Sequence, residues 1–116
     1  TFSRNFGVPV RYHDLNDMLQ QSNFNLLEFH MSYRDLEAEI SDHITEKYDL
    51  ELIVHCPELF ANDHILDICS QNEKYRIESV NKLQNVIEKT KQLKKFFNND
   101  CPLIVTNVGG FLWMNI

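Results

Sequence analysis

Three short apolar runs, each with a polar side chain at or near its carboxyl end and separated by stretches long enough for a helix, constrain this chain more than any other feature. They are Leu26-Leu27-Glu28-Phe29-His30-Met31, Leu52-Ile53-Val54-His55 and Pro102-Leu103-Ile104-Val105-Thr106-Asn107-Val108-Gly109-Gly110, the last running into a glycine turn. Branched and aromatic side chains favour the extended backbone, and Pro57 cannot donate a ladder hydrogen bond, so the middle strand, Asp49 to His55, should stop near His55. Strands alternating with segments of crossover length predict parallel pairing with right-handed connections. The expected fold class is therefore α/β, built of parallel βα units in the order α, β, α, β, α, β.

The intervening segments carry helical signals. In Tyr12 to Ser22, Leu15, Met18 and Leu19 share a face behind His13-Asp14, with Asp14 as a possible cap, and Asn23-Phe24-Asn25 breaks the element. The run Tyr33 to Tyr48 places Leu36, Ile40, Ile44 and Tyr48 four apart, which predicts one amphipathic helix, with Ser32 and Asp35 approximating a capping box. Ser70-Gln71-Asn72-Glu73 is a second capping signal, opening the longest helix, along which Ile77, Val80, Leu83, Ile87, Leu93 and Phe96 follow the helical period. Lys89, Lys91, Lys94 and Lys95 crowd its carboxyl end, where the macrodipole favours cations. The connection from Cys56 to Ser70 is long for a βα loop and predicts an excursion over the ligand face. Residues 1–11, with Gly7 and Pro9 and no sustained periodicity, read as an incoming linker, or the end of an element that began upstream, leading to a folded unit spanning 12–116.

A chain of 116 residues is enough for one small domain. Its net charge of −6 argues against nucleic acid and anionic membrane as partners, since both are bound through basic patches. Cys56, Cys69 and Cys101 are odd in number with no close pair, so neither a disulfide framework nor a metal knuckle is expected. Free thiols, no apolar run of about 20 residues and no signal-peptide core point to the cytoplasm. The absence of an initial Met predicts an excised or processed product.

In α/β folds the carboxyl ends of parallel strands form the ligand face. That rim should present His30, His55 and Asn107, with Glu28 two residues before His30 and Glu58 three after His55. Two histidines and one or two carboxylates can hold a divalent metal or pass a proton beside a carbonyl, if they converge. Each histidine could equally be a strand-end residue bonded to backbone. Asn107-Val108-Gly109-Gly110 can offer an amide and close backbone N–H groups to a phosphate or hydroxyl, or be only a turn. His13, His43 and His64 receive no role. Cys56 beside His55 faces the opposite way along a strand, so Cys-His chemistry has no support, nor has a Ser-His-Asp triad.

Leu52-Ile53-Val54-His55-Cys56-Pro57-Glu58, then Asp67-Ile68-Cys69-Ser70, then Tyr75-Arg76-Ile77-Glu78-Ser79-Val80-Asn81-Lys82-Leu83 resemble the third strand, loop and helix of xylose-isomerase-like barrels. That superfamily includes sugar phosphate isomerases and epimerases and apurinic endonucleases. A narrower likeness is to the carboxyl-terminal isomerase-like region of bacterial sialic acid (nonulosonic acid) synthases, through Phe6-Gly7-Val8-Pro9-Val10-Arg11-Tyr12-His13-Asp14 and Glu28-Phe29-His30-Met31-Ser32-Tyr33. The resemblance implies a partial, truncated TIM barrel of about three βα units over residues 12–116. It implies a carbohydrate-enzyme parent, with His55 catalytic and His30, Glu28, Glu58 and Asn107 facing a sugar or sugar-phosphate ligand. The piece alone is expected to be inactive. An accessory module that binds sugar or stabilises an oligomer is the alternative. Asn107-Val108-Gly109 stands where many metal-dependent members have His-Pro-Gly, and the later strands that carry their carboxylates are missing. The cofactor therefore stays unknown, with a divalent metal in the longer parent left open. Exposed edges of a three-stranded sheet predict marginal stability or self-association into a homo-oligomer.

Overall fold

The computed structural model describes residues 7–21 and 24–109. The first part of the expected linker, the end of the first helix at Ser22, and Gly110 of the glycine turn lie outside the described residues. The fold is mixed α/β, and its main sheet has four parallel strands: β1 (Gly7–Val10), β2 (Leu26–His30), β3 (Glu51–His55) and β6 (Leu103–Val105), in the order β1-β2-β3-β6. Between them lie α1 (Leu15–Gln21), α2 (Tyr33–Glu37), a two-stranded antiparallel hairpin of β4 (Leu59–Phe60) and β5 (His64–Ile65), and α3 (Glu73–Leu93).

Three strands were expected and four are present, because residues 7–10 form β1 rather than linker. Pro9 is tolerated because, among the described residues, β1 is an edge strand with only one neighbour to pair with. Gly7 sits directly beside Leu26, where a Cβ would come within 2.9 Å of the Leu26 carbonyl oxygen and of its side chain, so the close approach needs a glycine.

Side-chain alternation divides the sheet into two unlike faces. Val10, Leu27, Phe29, Leu52 and Val54 are buried on one face and form a single core with Leu15, Ile44, Val86, Leu93 and Phe97. On the other face Leu26, Glu28, His30, Ile53 and His55 are half-buried and Leu103 and Val105 exposed. Buried leucine and phenylalanine side chains contribute about 1.5–3 kcal/mol each, which makes the helical face the source of stability.

The helix predicted for 33–48 stops early. Ser32 and Asp35 form the capping box, but α2 ends at Glu37, a 3-10 turn covers Ile40–Asp42, and irregular chain follows. Ile40 and Ile44 are still buried, so the apolar spacing did mark core residues. Ile, Ser, Asp, His and Thr between 40 and 45 are weak helix formers, and tertiary packing sets the backbone instead.

In α3 the side chain of Asn72, two residues after Ser70, caps the helix by accepting from Tyr75 N–H. Its buried face is Ser79, Val86, Thr90 and Leu93, whereas Ile77 and Val80, expected inside, are exposed. Thr90 satisfies its buried hydroxyl by donating to the Val86 carbonyl at 2.8 Å. The basic run is tied down: Lys89 donates to the Ala38 carbonyl at 2.5 Å and Lys91 pairs with Glu88 at 2.7 Å.

Asn98 and Asn99 do more than end the helix. Asn99 accepts from Leu52 N–H at 2.9 Å and donates to the Leu52 carbonyl at 3.1 Å, standing in for a strand beside β3 before β6 begins. Met31 N–H donates to the His55 carbonyl at 3.1 Å and Cys56 N–H to the Val105 carbonyl at 2.8 Å, which carries the ladder past the strand ends.

Candidate functional site at the carboxyl rim

Parallel register puts His30 directly beside His55, and Glu28 two residues earlier points to the same face. The Glu28 carboxylate lies between them, its Oε1 3.0 Å from His30 Nε2 and 3.6 Å from His55 Nδ1. The two rings meet edge to face with centroids 4.6 Å apart. His55 Nδ1 is buried and, among the described residues, has no hydrogen-bond partner, since Glu28 stands just beyond bonding distance. The convergence that sequence could not supply is thus present for three of the five expected residues.

The other two pair with each other. Asn107 donates its side-chain N–H to the Glu58 carboxylate, which bridges the loop after β6 to the loop after β3. Glu58, His30 and His55 line one rim cavity of about 240 Å³, and Arg11 lines it as well. Arg11 follows β1 directly, and among the described residues no carboxylate pairs with its guanidinium. Its place is hidden in the sequence because Gly7 and Pro9 mask a strand at residues 7–10; the alternating Val8-Pro9-Val10 is the available signal. A cation beside two imidazoles and a carboxylate suits a ligand carrying an anionic group together with hydroxyl or carbonyl oxygens.

Cys56 is excluded as a nucleophile here. Burial pushes its thiol pKa up, only partly countered by a hydrogen bond with Thr106, and its Sγ donates to the Pro57 carbonyl. A larger groove of about 470 Å³ runs between α2 and α3, past Tyr33, Phe60, Lys82 and Lys89, with no histidine or cysteine in its wall.

His64, given no role from sequence, is buried in a second polar cluster. Its Nε2 lies 2.8 Å from Ser79 Oγ, its Nδ1 3.5 Å from Glu78 Oε1, and the Tyr75 ring stacks on it at 4.2 Å. Ser79 Oγ also accepts from Asp67 N–H at 3.0 Å, so one hydroxyl serves both the ring and the loop backbone. The side-chain types are those of a hydrolytic triad. Ser79 is completely buried, however, so no substrate can reach it, and the cluster is a pin holding the 56–70 excursion on α3. Tyr75 adds to the pin by accepting from Ile65 N–H and donating to the Ile65 carbonyl.

No family model, curated protein or solved structure matches this chain. Its function must therefore be argued from the rim itself. Among the described residues, no helix is long and apolar enough to cross a membrane.

Proposed function

We propose that the chain supplies the early βα units of a sugar phosphate isomerase/epimerase-like barrel, with a carbohydrate ligand at the carboxyl rim. The observation that carries this is the Glu28 carboxylate set between His30 and His55 at the ends of adjacent parallel strands. Isomerisation or epimerisation beside a carbonyl needs a base to take a proton from carbon and an acid to protonate oxygen. A carboxylate flanked by imidazoles offers both, with Glu28 or His55 as base and His30 as the donor.

Two features of the fold support the barrel. The strand order β1-β2-β3-β6 never reverses, so right-handed crossovers all fall on one face, as in a singly wound barrel and unlike a doubly wound sheet. Parallel sheets are almost always covered on both faces, and the face bearing Glu28, His30 and His55, which no buried residue occupies, would be a barrel's interior. Arg11 supports a phosphate or carboxylate on the sugar. The narrower assignment to nonulosonic acid synthesis rests on the sequence resemblance alone. The rim residues also fit a divalent cation, held by Glu28, His30 and His55, which when bound would polarise a ligand oxygen in place of acid–base work by those three side chains.

A second reading, a non-catalytic module that joins subunits, is favoured by one observation: among the described residues β6 is an open edge whose Leu103 is 67% and Val105 48% exposed. Both readings are tested by titrating hexose and N-acetylhexosamine phosphates into the chain and following the His30 and His55 ring resonances by NMR. Selective shifts at these two rings support the rim site. No shift with any sugar, together with a concentration-dependent dimer, would transfer the case to the subunit-joining module.

A further inference from the structure

We propose that Glu28, His30 and His55 form a self-contained site for one transition-series divalent cation of the Zn²⁺ type, needing no residue from any other strand. Each side chain offers one ligand atom, and the three atoms all lie within 4.8 Å of one another. Around Zn²⁺, with bonds of about 2.0–2.1 Å, neighbouring ligands of a tetrahedron stand about 3.3 Å apart. The observed separations from Glu28 Oε1, 3.0 Å to His30 Nε2 and 3.6 Å to His55 Nδ1, bracket that edge. Small side-chain rotations suffice to complete the set, because the backbone under it is already fixed by β2–β3 pairing and by the Met31 N–H to His55 carbonyl bond.

The second observation is the buried His55 Nδ1 with no hydrogen-bond partner. Buried polar nitrogens are nearly always satisfied, and in the tautomer with the ring proton on Nε2 the Nδ1 lone pair gains nothing from a facing carboxylate, because both groups are acceptors. A cation between them satisfies both lone pairs at once. Two imidazoles and one carboxylate suit Zn²⁺, Fe²⁺ or Co²⁺ better than Mg²⁺ or Ca²⁺, which prefer all-oxygen shells. Three protein ligands leave further positions open, and the 240 Å³ cavity that His30 and His55 line with Arg11 gives those positions room for water or a ligand oxygen.

The site follows from the positions of three side chains and stands whether or not the ligand is a sugar. Its test therefore uses the metal alone: the chain is stripped with a chelator and titrated with Co²⁺ under visible absorption, then with Zn²⁺ in competition. The expected result is one equivalent bound with the ligand-field band of a four- or five-coordinate site. His55→Ala and Glu28→Gln should each weaken binding by more than the roughly 10–100-fold that loss of an outer-shell partner costs. His13→Gln, at an exposed position outside the three-residue set, should change nothing. Circular-dichroism melts confirm that each variant is folded, and Glu28→Gln preserves shape if His55→Ala does not fold. A wild-type chain with no ligand-field band, or binding that survives both rim substitutions in folded protein, overturns the proposal.

Discussion

Replacing Ser79 with Ala removes a single oxygen from the middle of α3 and should unfasten the whole 56–70 excursion. Ser79 Oγ serves two partners, Asp67 N–H at 3.0 Å and His64 Nε2 at 2.8 Å, and the substitution leaves both without it. His64 is 4% exposed, so its nitrogen cannot turn to water, and an unsatisfied buried group costs about 1–3 kcal/mol. Asp67 is half-buried, so its N–H is partly rehydrated and counts at the lower end of that range. The sum is about 2–4 kcal/mol. For 116 residues, an unfolding entropy of about 2.1 cal/mol/K per residue gives a fall of about 4 °C per kcal/mol, hence a Tm lower by about 8–16 °C. The assay is a thermal melt with urea unfolding alongside, to show that the m-value is unchanged. In a His64→Phe background the same substitution should cost about 1–2 kcal/mol less, since one orphan is already gone. A loss under about 1 kcal/mol, or identical losses in both backgrounds, would refute the pin and assign the loop's attachment to burial of Phe60 and Leu66.

Four further outcomes are expected. Tyr12 has a buried hydroxyl with no partner and, chiefly through burial and secondly through Asp35, a pKa pushed up to about 12; Tyr12→Phe should leave stability unchanged or raise it by about 1 kcal/mol. Because the folded-state pKa lies above the unfolded value of 10.0, Tyr12 disfavours ionisation: the protein keeps its stability below about pH 10 and loses it as pH rises toward 12, and Tyr12→Phe should flatten that alkaline limb in a pH series of melts. Cys69 and Cys101 are exposed and Cys56 is buried, so a thiol reagent should titrate two groups in the native protein and the third only on unfolding. Arg11→Gln should weaken binding of a phosphorylated sugar about tenfold or more while leaving its neutral counterpart unaffected, measured by calorimetry; equal losses for both would remove Arg11 from anion recognition.

Local signals were legible, and distant partnerships were not. The strands at 26–30 and 51–55, the Ser32–Asp35 capping box and a long final helix follow from branched residues, capping side chains and periodicity within a few residues, whereas the strand expected to run from Pro102 into the glycine turn stops at Val105. The strand at Gly7–Val10 was hidden because Gly and Pro usually punctuate, and only its edge position makes them acceptable. The expected 33–48 helix failed because residues four apart can all reach a core through irregular chain. The rim was half legible: alternation put Glu28 and His30 on one face, but the register that sets His30 against His55 is a property of the sheet. Arg11 fell with its strand. Ser79, His64 and Asn99 were beyond reach, since each answers a backbone group or ring that the sequence places far away.

Met31 and Cys56 lie one residue past their strands, yet their amides donate to His55 and Val105 and so belong to the ladder. In hydrogen-exchange terms they should not fray as loop amides do, but open only when the sheet opens. A ligand held by Glu28, His30 and His55 is then coupled to global unfolding, and at 100 times its Kd it should slow exchange about 100-fold at Leu27 and Val86 in the core as well as at the rim.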